Sequence, residues 1–263
     1  MGAPDISALS LFFCFLLLAL PVGVGLVLKL GLFRNTLVAV VRMGIQLALV
    51  GYFLKYLFRW NNPLVTAIWL IVMVAFATHS VIRGSQLRFK RFVVPVGLSL
   101  LLTLGFVLFY FNLMIIDLSG VLEAKYAIAI GGMLLGNSLR GAIVGVSHFY
   151  GNLRKEASQY SYRLALGATQ FEALRPYVRD AMRSALMPTL ASMSTLGIVF
   201  LPGMMTGQIL GGSGPLVAIK YQIAIMIAIF ACIALNVGLT LLFTVKTSFN
   251  RYGLLRRELS RNH

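Results

Sequence analysis

Residues 154–183 read RKEASQYSYRLALGATQFEALRPYVRDAMR, a charged and amphipathic stretch between two long apolar segments. Apolar residues recur along it in steps of three or four, which predicts helices. Gly167 predicts the end of a first helix, because glycine accepts the left-handed conformation of a C-terminal cap. Thr169 and Glu172 form a T-x-x-E pattern, which predicts a capping box at the start of a second helix. Pro176 predicts an interruption of that second helix.

The composition is that of an all-α membrane protein. Hydrophobic residues make up 59% of the 263 residues and charged residues 11%, whereas soluble domains carry about 25% charged residues. Seven apolar stretches are long enough to cross about 30 Å of hydrocarbon as helices, and too long for barrel strands. We expect one membrane domain, residues 1–263, with a cytoplasmic loop at 151–183 and spans at about 6–28, 36–54, 64–82, 92–116, 126–150, 184–210 and 221–245.

The net charge of +16 is distributed unevenly along the chain. If the N-terminus lies outside, 17 of the 23 Lys and Arg residues fall in segments on the inner side. The outer segments hold only Lys55, Arg59, Lys125 and Lys220. This bias follows the positive-inside rule and predicts a cytoplasmic C-terminus in the cell (inner) membrane. The charge is therefore expected to meet anionic lipid, and nucleic acid is not an expected partner.

Catalytic and cofactor motifs are missing from the sequence. It has no nucleophile elbow, no H-E-x-x-H pattern and no phosphate-binding loop. None of its seven acidic residues lies within a predicted span, although a proton-coupled carrier normally needs a titratable group at depth. We expect a transport subunit that is no enzyme and binds no cofactor. Any ATP and magnesium would be bound by a separate subunit.

The amphipathic loop has two interpretations. It could lie on the membrane surface, with its arginines against lipid headgroups. It could instead be a surface that binds another protein, because long loops in membrane proteins are commonly functional.

The Leu-Gly-Ala-Thr turn, followed by Ala181, Ala185, Leu186 and Pro188, resembles the cytoplasmic loop of ABC-transporter permeases. In those permeases a short helix docks in a cleft of the ATPase subunit. The position six residues before Gly167 is glutamate in the importer version and is Ser161 here, so the resemblance to importers is weak.

A longer series of motifs is similar to the Fet-type iron-export permease family, which includes plant aluminium-tolerance relatives. The series covers nearly the whole chain: Arg42, Gln46, Val50-Gly51-Tyr52, Leu54-Lys55, Gly136-Asn137, the Leu-Gly-Ala-Thr turn, Arg183–Pro188, Leu201–Gly207, Pro215 and Ala218–Ile223. Arg140, within the Gly-Asn block, is a departure from the family pattern.

The resemblance implies the membrane subunit of an ABC transporter, working as a homodimer with a separate cytoplasmic ATPase. It further implies export of iron or another metal and resistance to oxidative stress. The residues expected to couple to the ATPase are Glu156, Leu166, Gly167, Ala168, Thr169, Glu172 and Arg175.

The sixth predicted span contains a Pro-Gly break, and broken membrane helices often hold substrate sites. The small residues before the break could instead serve only close helix packing. The candidate translocation residues are Arg42, Gln46, Asn137, Pro202, Gly203, Met204, Met205, Thr206 and Gln208. Met204, Met205 and Gln208 are weak candidates for metal ligands, because thioethers favour Cu(I) over iron and methionine usually serves apolar packing.

Two arginines fall within predicted spans. Arg42 and Gln46 share one helix face and could line a pathway, or Arg42 could reach the inner headgroups. Arg140 lies deeper unless the fifth span ends early and its helix continues into the cytoplasm. A fixed positive charge disfavours a cation pathway. If Arg140 lines a cavity, the sequence favours an anionic or chelated substrate.

Two rival functions remain open at this point. The chain could be an ATP-independent channel or secondary carrier, or it could be a membrane scaffold that transports nothing.

Overall fold

A computed structural model describes residues 7–116, 123–250 and 253–255 of the chain. Within these ranges ten α-helices follow one another, with a π-helical turn at Phe111–Ile115 after the fifth. The helices are α1 (Ala8–Leu16), α2 (Ala19–Val27), α3 (Phe33–Trp60), α4 (Pro63–Gly84), α5 (Phe89–Tyr110), α6 (Ala124–Lys155), α7 (Ala157–Ala165), α8 (Gln170–Thr195), α9 (Gly203–Leu210) and α10 (Pro215–Ser248). The prediction of an all-α protein is confirmed.

Among the described residues, six helical segments are long and apolar enough to cross a membrane. Each coincides with a predicted span, and α6 continues five residues beyond the predicted end at residue 150. Their bounds are Leu9–Val27, Phe33–Trp60, Pro63–Gly84, Phe89–Ile115, Ala124–Lys155 and Pro215–Ser248. The chain is therefore a multi-pass membrane protein. A total of seven crossings and the predicted orientation stay predictions.

The predicted span 184–210 is not one helix. Its first part is the end of α8, which stops at Thr195, and its last part is the eight-residue α9. Gly197 has a φ of +85°, which a right-handed helix cannot contain. The helix break predicted at Pro202-Gly203 therefore begins earlier, at Leu196. At 1.5 Å per residue, α9 is about 12 Å long and cannot cross a bilayer alone.

The core of the described fold is formed by α4, α5, α6 and α10, with α8 packed along α6 and α10. Two glycines of α6 allow the close approach of α10. A Cβ atom added at Gly141 would lie 2.6 Å from Cγ2 of Ile233, and one at Gly145 would lie 2.7 Å from Cγ1 of Val237. Small residues at membrane helix contacts let backbones approach closely, and dispersion contacts then stabilise the pair.

A chain of buried polar side chains links α5, α10 and α6. The hydroxyl oxygens of Ser99 and Thr240 lie 2.6 Å apart, and Thr240 donates to the side-chain oxygen of Asn236 over 3.4 Å. The Asn236 amide donates to the Ser138 carbonyl, and the Ser138 hydroxyl donates to the Cys232 sulfur. Since hydrocarbon offers no hydrogen bonds, these pairings satisfy groups that would otherwise destabilise the membrane-embedded fold.

The first three helices make few contacts with this core. All described side chains of α2 are exposed or half-buried, and Leu57 is the one buried residue of α3. Leu57 packs with Ala124 and Ile128 near the start of α6. The turn between α3 and α4 is fixed there, because the Asn61 side-chain oxygen accepts from the Ala124 N–H over 3.0 Å. Most of α3 therefore has no protein neighbour within the described chain.

We expect Gly145→Val to lower the free energy of unfolding by about 1–3 kcal/mol, because the added methyl groups would force α6 away from α10 and α8. Thermal unfolding in nanodiscs measures the effect. Gly151→Val is the matched control, since it has the same helix propensity and nothing lies within 4 Å of that Cβ position. Equal shifts for both variants would show that the close contact is not the cause.

Candidate translocation cavity and coupling turn

A cavity of about 430 Å³ lies between α6, α8 and α10, and residues 196–202 and the start of α9 complete its wall. Much of its lining is apolar. Its polar lining residues are Asn137, Arg140, Thr189, Ser192 and Gln222, and its sulfur-bearing ones are Met133, Met204 and Met226. Cavities of this size between helices are typical of small-molecule sites, in which a few polar groups fix the ligand.

Arg140 brings a positive charge to the cavity. It lies in the middle of α6, and its side chain is exposed to the cavity space. It forms no hydrogen bond and no ion pair with any residue that the structure describes. The Asn137 side chain, one turn away on the same face, donates to the Met133 carbonyl over 2.8 Å. Its oxygen receives no hydrogen bond within the described ranges, so it is available to a donor in the cavity.

The loop after α6 folds as the predicted helix–turn–helix, formed by α7, residues 166–169 and α8. Gly167 has a φ of +93°. The N–H of Gly167 donates to the Leu164 carbonyl, and that of Ala168 donates to the Arg163 carbonyl. This is the Schellman pattern, in which glycine ends a helix and its last carbonyls find partners. The prediction that Gly167 ends the first helix is confirmed.

The predicted capping box is also present. The Thr169 hydroxyl accepts from the Glu172 N–H over 3.3 Å, and the Glu172 carboxylate accepts from the Thr169 N–H over 2.8 Å and from its hydroxyl over 2.7 Å. These hydrogen bonds from the Thr169 side chain and backbone lower the pKa of Glu172. The carboxylate is thus ionised at neutral pH, beside the positive N-terminus of α8. Its stabilising contribution is lost only as the pH falls through that lowered pKa.

Helix α8 connects this turn to the cavity without interruption. It continues through Pro176 and Pro188, so the predicted interruption at Pro176 is wrong. A proline costs the helix a hydrogen bond, but α8 buries one face against α6 and α10, which holds it in place. That face consists of Ala173, Leu174, Tyr177, Ala181 and Ala185. Twenty residues separate Glu172 from Ser192, which is about 30 Å of helix.

Aromatic contacts fix α7 to the rest of the chain. The ring of Tyr160 packs against those of Tyr177 and Phe249, with centroids 6.5 and 5.8 Å apart. Its hydroxyl donates to the Gly253 carbonyl over 2.6 Å. Burial raises the pKa of Tyr160 and that of Tyr177, so both phenols stay neutral at physiological pH. The turn is therefore held by the C-terminal segment as well as by α8.

Three large apolar side chains around the turn are exposed. Tyr162, Leu166 and Phe171 are 64%, 70% and 70% exposed. Phe171 lies outside the buried face of α8. We call these three residues the apolar tip.

Comparison with known proteins gives the family. Residues 8–249 match the family described as "Uncharacterised protein family (UPF0014)". The chain belongs to this family.

Curated UPF0014 relatives align over most of their length. The chain is 32% identical over 99% of its length to "Probable iron export permease protein FetB" of Escherichia coli strain K12, which is covered completely. It is 30% identical over 97% of its length to "UPF0014 membrane protein YjkA" of Bacillus subtilis strain 168, of which 99% is covered. It is 31% identical over 75% of its length to "Protein ALUMINUM SENSITIVE 3" of Arabidopsis thaliana, of which 71% is covered. No solved structure gives a significant match.

These matches confirm the predicted family, with its iron-export and plant relatives. They also confirm the prediction of a multi-pass protein of the cell (inner) membrane. UPF0014 is thus a membrane family that includes a protein named as a probable iron export permease.

The structure of this UPF0014 member brings only some of the predicted pathway residues together. Asn137, Pro202 and Met204 line the cavity. Gly203, Met205, Thr206 and Gln208 lie on α9 but are not part of the lining. Arg42 and Gln46 lie on α3, exposed and along a separate shallow groove of that helix. The sequence analysis missed Thr189 and Gln222 as cavity residues, although a lone polar group in an apolar helix is a usable signal.

The predicted coupling residues lie around the turn. Glu156 joins α6 to α7, Leu166 to Thr169 form the turn, and Glu172 and Arg175 are exposed on the first turns of α8. Their roles in coupling stay predictions.

The weak metal candidates Met204, Met205 and Gln208 all lie on α9. Met205 is buried in the protein. The side-chain oxygen of Gln208 is enclosed and has no hydrogen-bond partner among the described residues. Within the same ranges, no cluster of three His, Cys, Asp or Glu residues could hold a metal ion. Metal binding at these positions stays a prediction.

We expect Thr169→Ala to weaken the start of α8 by about 1 kcal/mol, because it removes the hydroxyl of the capping box. Amide hydrogen exchange in the first two turns of α8 should become about fivefold faster. Thr169→Ser should restore the slow exchange. Ser161→Ala is the control, since its hydroxyl makes no hydrogen bond to any residue the structure describes. Unchanged exchange in Thr169→Ala would contradict the role of the cap.

Proposed function

We propose that this chain is the membrane subunit of an ATP-driven exporter, and that a separate cytoplasmic ATPase docks on the turn between α7 and α8. One observation carries the proposal. A single capped helix, α8, begins at an exposed turn and places Ser192, in its last turn, in the wall of the cavity. Movement of the turn by a partner would move the cavity wall, because a packed helix transmits displacement over about 30 Å.

The chemistry of the turn supports docking to a protein. The apolar tip would be costly to leave in water, and exposed aromatic side chains such as Tyr162 and Phe171 are typical anchors of protein interfaces. Glu172 and Arg175 are exposed beside it and provide the polar rim that such interfaces have. The chain itself needs no nucleotide site in this proposal, since ATP and magnesium would be bound by the partner.

We also propose that two copies of the chain form the transporting unit. Gln46 and Arg42 are exposed on α3, and Gln46 lies about 18 Å along the helix from Arg34. A polar side chain at that depth needs a protein partner. On the opposite face, nothing lies within 4 Å of the Cβ positions of Gly44 and Gly51. A second copy would supply the neighbours that both faces of α3 lack.

The proposed cargo is iron or another metal, carried outward. The support is the family, one member of which is named as a probable iron export permease and another for aluminium sensitivity. Protection against oxidative stress would follow if iron is the metal removed.

A groove at the turn between α4 and α5 supports contact with anionic lipid. It is lined by His79 and by the basic residues Arg83, Arg88, Lys90 and Arg91. These residues belong to a predicted inner segment, where phospholipid headgroups carry negative charge.

We expect Leu166→Asp to abolish retention of the ATPase in a detergent pull-down, because a carboxylate at the apolar tip would stay hydrated and oppose docking. The chain should be co-expressed with the ATPase subunits of its own host. Leu30→Asp is the matched control, since Leu30 is also an exposed leucine, 52% accessible, in the predicted cytoplasmic segment between the first two spans.

Equal retention by both variants would overturn docking at this turn. Substrate uptake by liposomes that contain the chain without any ATPase would show a channel or carrier instead. Vesicles that contain the whole complex with ATP and move no metal would show a scaffold.

We expect the chain to form dimers in liposomes and Gln46→Leu to weaken them about threefold to twentyfold, because an interhelical hydrogen bond in a membrane contributes about 0.6–1.7 kcal/mol. Fluorescence energy transfer between labelled copies, followed on dilution into lipid, measures the affinity. Ser80→Ala is the control, since that hydroxyl bonds to the Phe76 carbonyl of its own helix. A monomer at every protein-to-lipid ratio would contradict the dimer.

A further inference from the structure

Arg140 lies far from every other charged residue of α6. The nearest charged positions along α6 are Arg154 and Lys125, 14 and 15 residues away. At 1.5 Å per residue these distances are about 21 and 22 Å, so Arg140 lies near the middle of α6. An arginine side chain is much shorter than either distance, and it keeps its charge when buried.

The described part of the protein offers this arginine no counter-ion. None of the described acidic residues lies in the cavity or pairs with Arg140. The whole sequence has seven acidic residues, and Glu123, immediately before α6, is 17 residues from Arg140. A second copy of the chain would bring the same seven, all outside the predicted spans. The described residues therefore supply no negative charge to Arg140, and an anion in the cavity would compensate it.

The cavity around Arg140 is suited to holding such a molecule. Its volume of about 430 Å³ accommodates a small organic molecule. Asn137, Ser192 and Gln222 add neutral hydrogen-bonding groups to the lining of the same cavity. A planar guanidinium binds carboxylate or phosphate oxygens through two parallel hydrogen bonds.

A bare metal cation is a poor match for the same cavity. The cavity has no carboxylate, imidazole or thiolate among its described lining residues, and its sulfur atoms belong to methionines. Oxygen ligands of a hard cation would here be limited to amides and hydroxyls beside a fixed positive charge, and such a charge selects for anions.

We propose that the Arg140 cavity binds an anionic cargo: a small carboxylate or phosphate compound, or a metal chelate whose net charge is negative. This inference rests on the proposed transport function and specifies its substrate class. A metal would then pass through as a complex with its anionic ligand, and Arg140 would pair with the ligand rather than with the metal.

Equilibrium binding to the full-length chain in phosphatidylcholine nanodiscs tests the proposal. The probes are radiolabelled citrate, ferric citrate, inorganic phosphate and Fe(II) without chelator. We expect at least one anionic probe to bind and Arg140→Gln to weaken that binding tenfold or more, because a charge-assisted hydrogen bond is lost. Arg140→Lys should retain part of the affinity. Arg59→Gln, which removes a guanidinium at the far end of α3, should bind as the unmodified chain does.

Two results would overturn the proposal. One is that Fe(II) without chelator binds, and that the Arg140→Gln variant binds it as tightly as the unmodified chain does or more tightly. The other is no binding of any anionic probe at millimolar concentration to protein that is folded by gel filtration and thermal unfolding.

A second set of nanodiscs containing phosphatidylglycerol separates a soluble anion from a lipid phosphate. Two results together would assign the anion to lipid. Phosphatidylglycerol would displace citrate, and native mass spectrometry would find it bound only to the chain that has Arg140. Because these measurements use neither ATP nor an ATPase, their failure would leave the docking proposal intact. Failure of the Leu166→Asp experiment would likewise leave the anion site intact.

Discussion

The contact of α6 with α10 and α8 is the constraint on which the described fold depends. It requires two positions without a side chain, Gly141 and Gly145, since a Cβ atom at either would lie within 2.7 Å of a branched side chain of α10. In hydrocarbon no hydrophobic effect drives helices together, so closeness of approach decides how strongly they associate. The same contact places α8 and α10 on either side of Arg140 and so creates the cavity. The cavity therefore depends on how closely α8 and α10 pack against α6.

The features predicted from the sequence are those that depend on local chemistry. Membrane segments were recognisable because hydrocarbon requires long apolar helices whatever their neighbours. The end of α7 at Gly167 and the start of α8 at Thr169 were recognisable because a cap is formed by residues within one or two turns. The family was recognisable from motifs spread over the chain.

What could not be predicted depends on tertiary packing. Pro176 has a strong local effect, but the burial of Ala173, Tyr177 and neighbouring residues against α6 keeps α8 continuous. Arg42 and Asn137 carry similar local signals for a pathway, yet one faces outward on α3 and the other lines the cavity. No pattern within either helix determines which helices become neighbours. Thr189 and Gln222 were missed for the same reason.

The hydrogen bond between the Tyr160 hydroxyl and the Gly253 carbonyl has a practical consequence. It brings residues 253–255, the last ones that the structure describes, against α7. A bulky label inserted next to Gly253 would therefore lie close to the surface that the partner is proposed to bind, and would compete for the same space. In the predicted orientation, a label placed before α1 would lie across the bilayer from that surface.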